Sequence, residues 1–92
     1  MKKVSLKKAI QIVFPEATDI KLSKNYYYCS GWFNVGEQVY YISSGDVRWN
    51  SSIMYRTAKD RKDYTGGINM WGFETELKRK GYVLGSIPHT TC

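Results

Sequence analysis

The spacing of hydrophobic positions changes several times along the chain, and each change predicts an element. Leu6, Ala9, Ile10 and Val13 recur at i, i+3, i+4 and i+7, with Lys7, Lys8 and Gln11 between them. This is the signature of an amphipathic helix over residues 5–14. Ser5 is placed to cap it through its hydroxyl. Pro15 blocks continuation, and the residue before a proline is biased away from helical angles. Residues 18–23 then read as a short strand, with Ile20 and Leu22 on one side.

Residues 25–35 and 38–43 are rich in strand-forming types and meet at Gly36-Glu37, a hairpin signal. Strand alternation sends Tyr27, Cys29, Phe33 and Val35 to one face, and Tyr26, Tyr28, Ser30, Trp32 and Asn34 to the other. A tight turn pairs odd positions of the first strand with even positions of the second. Tyr40 and Ile42 therefore join the Cys29 and Phe33 face, the better core. Val39, Tyr41 and Ser43 join Trp32. The second face thus carries four large aromatics, Tyr26, Tyr28, Trp32 and Tyr41.

Ser44-Gly45-Asp46 is a turn signal. Residues 46–50 and 52–58 read as two strands or one bent strand, with Val47, Trp49, Ile53 and Tyr55 as apolar positions. Residues 59–67 form a polar loop ending in two glycines. A second helix is expected over residues 69–80, capped by Asn69, with Met70, Phe73 and Leu77 as its buried stripe. Lys78, Arg79 and Lys80 suit the negative end of that helix, and Gly81 suits the left-handed position that ends it. Residues 82–87 offer a last strand. The order α-β-β-β(-β)-α(-β) predicts a small two-layer α+β domain, an antiparallel sheet of three to five strands with two helices on one face. Residues 1–92 are expected to form a single domain, with 88–92 as a flexible tail.

Composition narrows the classes. The 92 residues hold eight Tyr, three Trp and three Phe, and 14 Lys and Arg against eight Asp and Glu give a formal charge of +6. The chain has too many aromatics for disorder and lacks the apolar run of a membrane helix. Two cysteines do not make a disulfide scaffold. Cys29 is expected as a reduced core residue, with Cys92 in the tail; a Cys29–Cys92 bridge is the alternative, and nothing in the sequence supports it. Lys2 and Lys3 resemble the start of a signal peptide, but Lys7, Lys8 and Gln11 interrupt the apolar stretch that one requires. A cytoplasmic, reduced protein without membrane contact is expected.

Catalytic signals are sparse. The one histidine, His89, falls in the tail, and no nucleophile motif, Walker loop or dinucleotide fingerprint is present. No metal site or cofactor is expected, since His89 and Cys92 lack a second ligand pair. Asp60 and Asp63 are expected to be neutralised by Arg61 and Lys62. The loop from Lys59 to Asn69, with Thr65, Gly66 and Gly67, is a candidate phosphate loop if it feeds a helix N-terminus.

Charge gives the stronger lead. Arg48, Arg56, Lys59, Arg61, Lys62, Lys78, Arg79 and Lys80 all follow residue 47, while Lys2, Lys3, Lys7 and Lys8 form a separate N-terminal patch. Cations beside exposed aromatics are a footprint of nucleic-acid binding, through phosphate neutralisation and base stacking. The expected function is a non-enzymatic nucleic-acid-binding module. Arg48, Arg56, Arg61, Lys62, Lys78, Arg79 and Lys80 would meet phosphate, and Tyr26, Tyr28, Trp32 and Tyr41 would form the platform. The alternative is a protein-interaction or inhibitor module that uses the same aromatic face, including self-association into a homo-oligomer.

The helix–three strands–helix order resembles double-stranded RNA-binding domains, whose last helix starts with a lysine-rich motif. Here that start is Asn69-Met70-Trp71-Gly72, so the resemblance is one of architecture. Sheet-type DNA readers share it at the same level. Small, basic, tyrosine-rich chains of this kind are also typical of phage and mobile-element accessory proteins.

Overall fold

The computed structural model describes residues 2–24, 29–44, 53–63, 67, 70 and 72–85. The elements are β1 (Lys2–Val4), α1 (Leu6–Val13), β2 (Ala17–Lys24), β3 (Cys29–Val35), β4 (Gln38–Ser43), β5 (Met54–Ala58), α2 (Phe73–Arg79) and β6 (Tyr82–Leu84). Strands β2-β3-β4-β5 form an antiparallel sheet in that order, and β1 pairs with β6 in a separate parallel pair. The result is a small α+β domain. Among the described residues no helix is long and apolar enough to cross a membrane.

Helix α1 forms as its periodicity requires. The Ser5 hydroxyl accepts from the Lys8 N–H at 3.2 Å. Leu6, Ala9 and Ile10 are buried, and Val13 packs at the margin of the same core. The β3–β4 hairpin turns at Gly36-Glu37, with Val35 opposite Gln38. Gly36 has φ 62°, the left-handed angle that two-residue hairpin turns demand at their first central position. The register places Trp32 opposite Tyr41 and Phe33 opposite Tyr40. Cys29, Phe33 and Ile42 are fully buried on one face, as alternation requires.

The core side is tied together by Phe14, the C-cap of α1. Its ring lies 5.3 Å from Phe33, 6.0 Å from Tyr40, 5.7 Å from Tyr55 and 6.3 Å from Phe73. One side chain thus joins α1 to three structural elements of the sheet and to α2.

Three points differ from the sequence reading, two as corrections and one as an added strand. First, α2 starts at Phe73, not near Asn69. Met70 instead exchanges two backbone hydrogen bonds with Tyr55, at 2.7 and 3.2 Å, which holds it extended against β5. Gly72, at φ 101°, then separates this bridge from the helix. Phe73 and Leu77 form the buried stripe as expected, but Met70 is not part of it. Second, Lys2–Val4 is a strand, because its hydrogen-bonding partner is β6 at the far end of the chain. Third, Cys29 is disulfide-bonded, not a free thiol. The other cysteine of the chain, Cys92, lies outside the described residues. So do the expected strand 46–50, the cap Asn69 and the tail 88–92.

Two predictions follow from this core. Phe14→Ala should lower the unfolding free energy by about 3 kcal/mol, typical of truncating a packed phenylalanine. Urea titration would measure it, and a loss below about 1 kcal/mol would remove Phe14 from its central place. Burial, and after it the neighbouring Tyr40, hold the Tyr55 phenol above its ordinary value. The unfolded chain therefore ionises first once pH passes about 10. Stability contributed by Tyr55 is complete below that pH and is lost as pH rises above it. Melting curves from pH 8 to 11 should show a shallower alkaline decline in Tyr55→Phe; parallel declines would assign the effect elsewhere.

Candidate functional site

The outer face of the sheet, opposite the helices, is built around one cross-strand row. Lys21 of β2 is opposite Trp32 of β3, Trp32 is opposite Tyr41 of β4, and Tyr41 is opposite Arg56 of β5. Directly opposed residues share a face, so the row reads cation, indole, phenol, cation. Beside it runs a second row of small polar side chains, Ser23, Ser30 and Ser43, ending at Met54.

The two ends of the main row behave differently. At the β5 end Arg56 is only 6% exposed. Its guanidinium lies 4.3 Å from the centre of the Tyr41 ring, and it donates to the Asp63 carbonyl at 3.4 Å. A cation over an aromatic ring is worth about 1 kcal/mol or more when desolvated. Tyr41 in turn meets Trp32 edge-to-face at 5.4 Å. Arg56 was expected at the surface against phosphate; it is instead an internal support for the aromatic pair.

Arg61 is likewise drawn inward. It reaches from the loop after β5 back across the sheet. There it donates to Asn34 Oδ1 at 2.9 Å and to the Asp19 carbonyl. Asp19 itself holds φ 52°, at the irregularity of register between Thr18 and Lys21. This bulge turns the Asp19 carbonyl away from the strand ladder, toward Arg61. The loop is organised by its carboxylates. Asp60 accepts from the Lys62 N–H at 2.7 Å, and Asp63 from the Lys59 N–H at 2.9 Å. The loop is thus a strap over one end of the outer face.

At the β2 end the row opens into a groove of about 480 Å³, lined by Lys7, Ile20, Lys21, Leu22, Ser23 and Trp32. Trp32 is half-buried, and Lys7 and Lys21 are exposed. Ile20 and Leu22 pack on the core, while Lys21 and Ser23 face outward. The groove therefore bends around the edge of the sheet, from the helix layer to the outer face. No carboxylate lines it. Lys7 and Lys8 sit in the first turn of α1, which holds no acidic residue. Cations there oppose the helix dipole, a local cost that α1 bears without compensation from its own first turn.

The remaining candidates are dispersed. Lys62 is exposed on the strap. Lys78, Arg79 and Lys80 are exposed at the end of α2. Arg79 pairs with Glu76 at 3.1 Å and is still 77% exposed, so the pair is a weak surface contact. Lys80 donates to the Ile12 carbonyl at 3.0 Å. The Lys2 N–H donates to the Gly81 carbonyl at 3.2 Å, so the N-terminal lysines and the basic end of α2 are joined, not separate. Tyr26, Tyr28, Arg48, Thr65 and Gly66 lie outside the described residues.

Gly67 is described, and its surroundings are structural. A Cβ there would stand 2.3 Å from the Thr57 carbonyl oxygen, and its φ is 79°. The residue is a glycine because it packs on β5. The Met70 bridge also intervenes between this loop and α2, so the loop does not run directly into the helix N-terminus as a phosphate cradle requires.

Two members of the groove are not legible in the sequence. Lys21 lies in the short strand 18–23 with no local feature that sets it apart. Lys7 belongs by position to the N-terminal basic patch, and only the docking of α1 brings it to β2. No family model, curated protein or solved structure matches the chain. The groove and its neighbours are thus the whole basis for function.

Arg61→Ala should release the strap. Trypsin cleavage after Lys59 or Lys62 is expected to accelerate, with about 1–2 kcal/mol lost in stability as two hydrogen bonds of a charged group disappear. Unchanged cleavage would mean the strap is held by other contacts.

Proposed function

We propose that this protein is a non-enzymatic nucleic-acid-binding module whose site is the groove at the β2 edge. Trp32 would stack on a base, and Lys7 and Lys21 would meet the flanking phosphates. The observation that carries this reading is the juxtaposition of Lys21 and Trp32 in register, with Lys7 delivered beside them by α1. Stacking on an aromatic ring contributes about 1–3 kcal/mol per base, and each neutralised phosphate releases counterions. The exposed lysines at Lys2, Lys3, Lys78 and Lys80 would add long-range attraction. Tyr41 packs edge-on beside Trp32, and Arg56 lies over Tyr41.

A protein partner or a second copy on the same face is the competing reading. Strand addition at β2 is disfavoured by the bulge at Asp19 and by Lys21, both of which blunt a sheet edge.

Retardation of labelled oligonucleotides at about 50 and 200 mM salt tests the proposal. Binding should be clear at low salt and fall steeply at the higher one. A Lys7→Gln, Lys21→Gln double variant should bind at least tenfold more weakly with unchanged melting. No retardation at low salt would sink the proposal, and light scattering showing a stable dimer through Trp32 would favour the competing one.

A further inference from the structure

We infer that the groove accepts single-stranded nucleic acid in preference to duplex, and does so with little regard to sequence. The inference rests on the nucleic-acid reading above and deepens it.

The shape of the groove is the first ground. Lys7 projects from the helix layer and Lys21 from the outer face, so the two cations straddle the edge strand. A backbone that meets both must turn around the sheet edge. A flexible single strand can make that turn over a strand of eight residues, whereas a duplex is stiff over such lengths. Trp32 is the second ground. It is half-buried, one strand in from the edge. An unpaired base can enter and lie against it. A base inside a duplex has neighbours on both faces and must first leave the stack.

The third ground is the type of cation. Bidentate arginine forks read guanine edges, but Arg56 and Arg61 are turned into the fold. The groove is left with lysines, compact point charges on flexible stems that follow phosphates without a fixed fork. Stacking on an indole is tolerant because every base has a ring face.

The test uses the 92-residue, disulfide-bonded chain with labelled strands of about 15 nucleotides and several sequences, alone and annealed to their complements. Single strands should bind at least tenfold more tightly than the duplexes, and affinities among the single strands should agree within about threefold. Trp32→Leu should erase the single-strand preference. Should that variant fail to fold, the surface change Lys7→Gln with Lys21→Gln remains. It should reduce the slope of log affinity against log salt by about 1.4, two contacts at about 0.7 each for single strands. Equal affinity for duplex and single strand would overturn this inference while leaving nucleic-acid binding intact. Strong dependence on sequence would also overturn it. Absence of binding to either form at low salt would instead overturn the reading beneath it.

Discussion

The architecture depends on the ring of Phe14. Pro15 stops α1 just after it, and the Phe14 N–H closes the last turn on the Ile10 carbonyl at 2.7 Å. The side chain at that stop enters a cluster made by Phe33, Tyr40, Tyr55 and Phe73, with ring centres 5.3 to 6.3 Å from its own. Offset and edge-on aromatic contacts of this kind are directional as well as apolar. They therefore fix where the helix ends relative to the sheet. Because α1 is short and capped at both ends, fixing one end also fixes the other. Lys7 reaches the β2 edge because Phe14 is held where it is.

The outer face shows a division of labour among cations. Lysine and arginine flank two adjacent aromatics along one row, yet only the lysine end is open to solvent. Arg56 lies over Tyr41, Tyr41 supports Trp32, and Arg61 straps the far end through Asn34 and Asp19. Guanidinium groups suit such interior places, since they are more weakly hydrated than ammonium groups and stack on rings. Lysine is the residue left facing water. The charge available for an external ligand is accordingly smaller than the sequence total of +6 implies, and it is differently placed.

What the sequence disclosed follows its local periodicities. The period of two in β3 and β4 placed Trp32 with Tyr41 and Phe33 with Tyr40, and the period of 3.6 placed Leu6, Ala9 and Ile10 inside. The Gly36 turn was legible because its dihedral requirement is written in one residue. The missed features depend on partners far along the chain. Lys2–Val4 has no strand signal of its own and is a strand only against β6. Met70 has ordinary helical spacing with Phe73, but its backbone is claimed by Tyr55. Arg56 reads as an outward residue on an alternating strand, and its burial comes from a loop that folds over it. Cys29 looks like a small core hydrophobe in either oxidation state. The place of Phe14 is not legible locally, because a residue before proline marks an ending and its packing lies wholly in the tertiary structure. The groove was half legible: the aromatic was found by parity, while its two lysines came from elements whose docking no local pattern encodes.

The parallel pairing of β1 with β6 has a consequence in time. Lys2 and Tyr82 are neighbours although eighty positions separate them. A contact of that span closes a loop of nearly the whole described chain and contributes to slow, late ordering. On the ribosome β1 has no partner until β6 has emerged, so Lys2–Val4 is among the last segments to be placed. Until then Lys2 and Lys3 belong to a loose cationic arm, and the basic end of α2 acquires its neighbours only when that arm docks.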